Sequence, residues 1–60
     1  MTQNEVRDEL MLYRAEHGMS QREFSVISNI SYSTINKFER GNTVTNLTLA
    51  KIKNYLIKNK

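Results

Sequence analysis

The 60-residue sequence contains no cysteine and no proline, and it has only one histidine. Without cysteine there is no disulfide, and one histidine cannot assemble a zinc site, so we expect no redox role and no metal. The longest unbroken apolar run is Leu10 to Tyr13, which is far too short for a transmembrane helix or a secretory signal. We therefore expect a cytoplasmic protein that uses no cofactor and no membrane.

The chain is also short. Sixty residues suffice for one small domain, and we expect residues 1–60 to form a single one. A domain of this size buries only about 60% of the surface that its unfolded chain exposes, so its stability should be modest.

Negative charge is scarce in the second half of the chain. Residues 1–30 carry three arginines and five acids, whereas residues 31–60 carry six basic residues and the single acid Glu39. The halves therefore carry −2 and +5, within a net charge of +3. A basic half indicates a polyanionic partner such as nucleic acid. A solvated lysine tail is the alternative, because four lysines lie between residues 51 and 60.

Apolar residues recur at helical spacing, and no segment alternates with a period of two. This pattern predicts four short helices. Their predicted inward-facing residues are Val6, Leu10 and Tyr13 of the first helix, Phe24 and Ile27 of the second, Ile35 and Phe38 of the third, and Leu49, Ile52 and Leu56 of the fourth.

Polar residues mark where the helices begin and end. Ser20 and Glu23 have the spacing of a capping box, in which each side chain bonds the backbone N–H of the other residue. The other predicted N-caps are Thr2 or Asn4, Ser31 and Thr45. Gly18, Asn29 and Gly41 fall where helices should end, because glycine and asparagine accept a left-handed backbone.

Only Ser28, Asn29 and Ile30 separate the second helix from the third. Two short helices with such a connection are typical of a helix-turn-helix. The predicted fold class is therefore all-α, a compact bundle of four (possibly five) short helices with a central helix-turn-helix.

The segment GMSQREFSVISNISYSTINKFERG, Gly18 to Gly41, resembles the Cro/phage-repressor type of helix-turn-helix domain. The likeness lies in a Ser-Gln pair opening the second helix, a Ser-x-Ser-Thr-Ile run opening the third and a closing Glu-Arg-Gly. The stretch LTLAKIKNYL, Leu47 to Leu56, is similar to the fourth helix of that family. The resemblance covers about residues 4–57.

The resemblance implies that this chain binds double-stranded DNA with its third helix in the major groove. The implied base contacts are Ser31, Tyr32, Ser33, Thr34, Asn36 and Lys37. The implied phosphate contacts are Ser20, Gln21, Arg40, Asn42 and Thr43. Arg14 and Glu39 would form a partly buried ion pair between the first and third helices. The chemistry agrees, because serine and threonine hydroxyls can bond several bases and helix N-termini attract phosphate.

Some positions depart from the family pattern. Asn29 replaces the usual turn glycine, and Val44 stands where proline is common, which predicts a more mobile loop. Val26 is apolar where a polar residue is usual, so we expect it to be exposed. Members commonly use a fifth helix to dimerise, and too few residues follow residue 57 for one here. We therefore expect a weak homodimer whose candidate contacts are Leu47, Tyr55 and Ile57.

Two functions remain open from the sequence. The first is a sequence-specific transcriptional regulator, most simply a repressor from a phage, plasmid or other mobile element. The second is a small mobile-element protein that uses the same fold to bind and inhibit a protein partner through Val26 and the acidic first helix. We expect no enzyme, because no general base stands with a matched nucleophile or metal.

Overall fold

The computed structural model of the chain describes residues 2–59. Within that range the backbone forms four α-helices and no strand: α1, Gln3–His17; α2, Gln21–Ser28; α3, Tyr32–Glu39; and α4, Asn46–Lys58. The predicted all-α bundle with a central helix-turn-helix is confirmed. None of the helices in this range is long and apolar enough to cross a bilayer.

Each helix begins at a hydroxyl side chain, as the sequence predicts. Thr2, Ser20, Ser31 and Thr45 are the N-caps, and each side chain accepts a hydrogen bond from the backbone N–H three residues later. Of the two candidates for α1, the structure uses Thr2. These bonds satisfy N–H groups that have no partner within the helix.

The capping box at α2 gives a first testable expectation. The Glu23 carboxylate accepts the Ser20 backbone N–H at 2.9 Å, and this bond and a second one with the Ser20 side chain hold the pKa of Glu23 below its usual 4.5. A pKa lowered by folding stabilises the protein above the unfolded pKa, and this contribution is lost as the pH falls through the folded pKa. We expect NMR titration to place the pKa of Glu23 below 4.5. In Ser20→Ala, which keeps only the backbone bond, that pKa should rise part of the way back; an unchanged pKa would contradict the assignment.

Left-handed residues let the chain turn between helices. Gly18 and Asn29 have φ angles of 59° and 60°, so Asn29 takes the conformation for which the family usually employs glycine. Asparagine tolerates it because its short side chain clashes little with the backbone. The turn returns Ile30 to the core, where the residue is 7% exposed.

The core consists of eight buried apolar side chains. They are Val6, Leu10, Phe24, Ile30, Ile35, Phe38, Ile52 and Leu56. Tyr13 and Leu49, also predicted to face inward, pack at its edge. Helix α1 packs on α3 and α4, and α2 packs on the same two helices, so all four helices contribute to one core.

The prediction that Ile27 belongs to the core is wrong. Ile27 is 45% exposed, although it lies three residues after Phe24 on the same helix. Phe24 fills the inward side of α2, and Ile30 re-enters the core beyond the turn. Ile27 lines an outer groove with Met19 and Val26 instead. Val26 is 75% exposed. This agrees with the expectation from the sequence, which rests on the polar residue that the family usually has at this position.

Tyr55, a candidate dimer contact, packs within the monomer. Its ring centroid lies 5.3 Å from that of Phe24 and 5.9 Å from that of Tyr13, both edge to face. Such aromatic pairs stabilise a core beyond the area they bury. Leu47 and Ile57, which are 71% and 61% exposed, are the dimer candidates that remain at the surface.

The loop between α3 and α4 is held by α1. The Gln3 carboxamide donates to the Val44 carbonyl at 2.9 Å and accepts the Val44 N–H at 3.0 Å. Arg7 donates to the carbonyls of Phe38 and Asn42 at 2.5 and 3.1 Å. Val44, where the sequence predicts a looser loop, is thus bonded through both backbone groups, and its side chain packs against the core.

Candidate nucleic-acid interface

The first turn of helix α3 is polar and faces the solvent. Ser31, Tyr32 and Ser33 are exposed, while Ile35 and Phe38 on the opposite side are fully buried and fix the helix to the core. The Ser31 hydroxyl accepts the Thr34 N–H at 3.2 Å and shares a hydrogen bond with the Thr34 hydroxyl at 2.6 Å. The helix therefore starts sharply, with its positive dipole end among short donors and acceptors.

Gln21 ties the start of α2 to the middle of α3. Asn36 donates its side-chain amide to Gln21 at 3.0 Å, and Gln21 donates its own to Glu39 at 3.2 Å. Each bond uses one of the two N–H donors of an amide, so a second donor on each remains for a ligand. The bonds fix the relative position of two residues predicted to bind a phosphate and a base.

Glu39 is neutralised by Arg14. Arg14 donates Nε and Nη2 to the two carboxylate oxygens of Glu39 at 2.7 and 2.5 Å, and its Nη1 to the Met19 carbonyl at 2.9 Å. The Glu39 side chain is only 4% exposed and that of Arg14 is 20% exposed. Glu39 is the only acid in residues 24–60, so α3 carries no exposed negative charge toward a ligand.

A groove of about 280 Å³ separates α3 from the start of α4. Four of the predicted site residues line it, Thr34, Lys37, Asn42 and Thr43, together with Thr45 and Thr48 of the α4 N-terminus. Asn42 is oriented by donating its side-chain amide to the Lys37 carbonyl at 3.1 Å. Hydroxyls, an ammonium group and a helix N-terminus surround one space, which suits a phosphate oxygen.

The remaining predicted contacts lie apart from this groove. Ser20 begins α2 and uses its hydroxyl in the capping box. Arg40 follows α3 and is exposed. Within residues 2–59 no three histidine, cysteine or acidic side chains come close enough to hold a metal ion.

Sequence reasoning missed Arg22, which the structure places against a predicted base contact. Its guanidinium carbon lies 4.8 Å from the centroid of the Tyr32 ring. The sequence predicts Thr45 only as the N-cap of the fourth helix and gives Thr48 no role, although both line the groove. The hydrogen bonds by which Gln3 and Arg7 anchor the loop could not be predicted from the sequence either, because their partners lie 41 and 31 residues away.

Two short helices joined by an αL turn, the second of which exposes a polar first turn, define a helix-turn-helix domain of the DNA-binding class. The model of the helix-turn-helix family matches residues 10–57, most of the chain. The chain belongs to the Cro/repressor-type helix-turn-helix family, whose members are DNA-binding transcription regulators. No curated protein and no solved structure matches the chain significantly.

Proposed function

We propose that the chain is a sequence-specific repressor of a phage, plasmid or other mobile element, acting in the cytoplasm. Two copies bind a promoter operator with α3 of each copy in the major groove, and they exclude the polymerase from that promoter. Ser31, Tyr32 and Ser33 read base edges at the start of α3, and Lys37 reads or neutralises the DNA one turn further on.

The observation that carries this proposal is the charge of the α3 side of the molecule. The DNA duplex carries one negative charge per about 1.7 Å of its axis, so a single unpaired acid facing it would oppose binding. The one acid of this half, Glu39, is buried against Arg14. Among the exposed acids, Glu5, Asp8 and Glu16 lie on α1. Glu23 lies in the first turn of α2, where its carboxylate accepts the Ser20 backbone N–H.

Candidate phosphate-binding positions on two sides of α3 are compatible with the same orientation. The N-terminus of α2 at Ser20 and Gln21 lies on one side, and the groove with Asn42 and Thr43 lies on the other. Phosphate contacts set the register of a protein on the duplex, whereas base contacts select the sequence. The short hydroxyl side chains between them bring the α3 backbone close to the bases.

Selection of bound duplexes from a random library tests the proposal. We expect enrichment of an inverted repeat whose half-site centres lie about 10–10.5 base pairs apart, because one recognition helix per copy reads one half-site. With about four phosphates bound per protomer, the logarithm of the affinity should fall with that of the salt concentration at a slope of roughly −3 to −4 per protomer.

A scrambled duplex of equal length is the control for that selection. It should show the same kind of salt dependence with weaker binding, because phosphate contacts do not depend on sequence. A library that enriches no motif, or an affinity that is flat with salt, would contradict the proposal.

The dimer in this proposal is weak in solution and firm on DNA. Leu47 and Ile57 are exposed aliphatic residues on α4, and two such side chains form far less than the roughly 800 Å² per partner of a stable interface. We expect the protein at micromolar concentration to be a monomer or a monomer–dimer mixture that binds the operator cooperatively. Strictly one-to-one binding to the selected site would contradict this.

A second candidate function is the binding of a protein partner, which the groove on the outer side of α2 favours. Met19, Val26 and Ile27 give this groove of about 430 Å³ an apolar lining. If the library selects nothing and a partner is captured instead, Val26→Lys should abolish that capture, since it replaces an apolar lining residue of the groove by a charged one.

A further inference from the structure

Arg22 and Tyr32 form a stacked pair where α2 and α3 approach each other. Arg22 is the second residue of α2 and Tyr32 the first residue of α3. The guanidinium carbon lies 4.8 Å from the ring centroid, within the range of a cation–π contact. Both residues are exposed, Tyr32 by 42%.

The stacked guanidinium has its donors unused. Within residues 2–59 no hydrogen bond or ion pair engages the Arg22 side chain, whereas Arg7 and Arg14 donate to carbonyls and to a carboxylate. Stacking on a ring face restrains the plane of a guanidinium and leaves its N–H groups at the edge free. Arg22 is therefore an oriented cation with no hydrogen-bond or ionic partner in the part of the chain that the structure describes.

We propose that Arg22 binds a DNA backbone phosphate beside the base pair that Tyr32 meets, and that the Tyr32 ring positions the guanidinium for it. This inference rests on the proposed DNA-binding function and adds a phosphate contact that neither the sequence pattern nor the groove supplies. Arginine suits this role, because its planar fork matches two phosphate oxygens at once.

The place of Arg22 in the fold decides between phosphate and base. In a helix-turn-helix the first helix of the pair crosses the DNA backbone, while the second enters the major groove. Arg22 belongs to that first helix, α2, so the group within its reach is the phosphate flanking the groove. One face of the Tyr32 ring is covered by Arg22, which leaves the hydroxyl and the ring edge for the DNA.

The test compares Arg22→Gln with Lys58→Gln, which removes the same charge from an exposed position near the end of α4. Loss of one phosphate contact should lower the magnitude of the salt slope by about 0.9 per protomer. We expect this change in Arg22→Gln together with a several-fold loss of affinity on cognate and scrambled duplexes alike. A slope that changes no more than in Lys58→Gln overturns the proposal. A loss confined to one base pair overturns the phosphate assignment and makes Arg22 a base-reading residue.

Variants of Tyr32 test the positioning role. Tyr32→Phe keeps the ring and should leave the effect of Arg22→Gln unchanged, whereas in Tyr32→Leu that effect should become smaller because the platform is gone. An equal effect of Arg22→Gln in both backgrounds overturns the role of the ring.

Circular dichroism should show native helix content, since both residues are exposed. A wild-type protein that binds no duplex at all contradicts the proposed function itself, which distinguishes that failure from the failure of this inference.

Discussion

Replacing Arg14 by leucine should destabilise the protein by about 3–5 kcal/mol, the usual cost of removing one partner of a buried ion pair. The Glu39 carboxylate would lose its cationic partner at a site where its side chain is only 4% exposed, with the Gln21 amide at 3.2 Å as its remaining hydrogen bond. The Met19 carbonyl would lose its bond as well. Because small domains are stable by only about 5–15 kcal/mol, urea unfolding followed by circular dichroism should show a large shift.

The double variant Arg14→Leu with Glu39→Leu shows how much of the loss of stability comes from the unpaired charge and how much from altered packing. It should be more stable than Arg14→Leu alone, since it leaves no buried carboxylate without its cationic partner. Arg40→Leu makes the same substitution at an exposed position and should stay within about 0.5 kcal/mol of the wild type. A double variant less stable than Arg14→Leu would show that the pair acts through its shape and not through its charge.

The helix starts and turns could be predicted because they depend on neighbours in the sequence. An N-cap bond spans three residues, so Ser20, Ser31 and Thr45 are readable from the residues that follow them. The left-handed turn at Asn29 is likewise set by a residue type that tolerates positive φ. The resemblance to the repressor family adds the positions of the recognition helix on this frame.

Contacts between distant residues could not be predicted in this way. Gln3 bonds the backbone of Val44, which lies 41 residues away, and a glutamine side chain can pair with almost any backbone amide. Helical spacing also placed Ile27 in the core, because periodicity alone does not show that Phe24 and Ile30 already fill the inward side of this short helix.

The candidate site shows the same limit. The stack of Arg22 on Tyr32 depends on how α2 and α3 cross, and nothing in their ten-residue separation specifies that crossing. Thr48 lines the groove with Lys37, which lies 11 residues earlier and across the loop that Arg7 and Gln3 bond. Both features depend on the arrangement of the helices in space.

Replacing Ser33 by glutamate should weaken operator binding at least about 100-fold, which equals about 2.7 kcal/mol. Ser33 is exposed in the first turn of α3, which the proposed function places against the bases and phosphates of the major groove. A carboxylate there can only accept hydrogen bonds, and it is repelled by the phosphates on both sides. The helix itself should not suffer, because an acid in the first turn interacts favourably with the helix dipole.

Asn54→Glu is the matched control for this change, since it adds the same charge at an exposed position of α4, between Lys51 and Lys58. If binding depends on where the charge lies, Asn54→Glu should lose little affinity for the duplex, as measured by fluorescence anisotropy. Ser33→Glu should bind neither the cognate nor the scrambled duplex well. Ser33→Ala removes only the hydroxyl, so it should lose about 1–3 kcal/mol on the cognate duplex and little on the scrambled one. Equal losses for the two glutamate variants would mean that net charge alone governs the affinity, and that the start of α3 does not face the DNA.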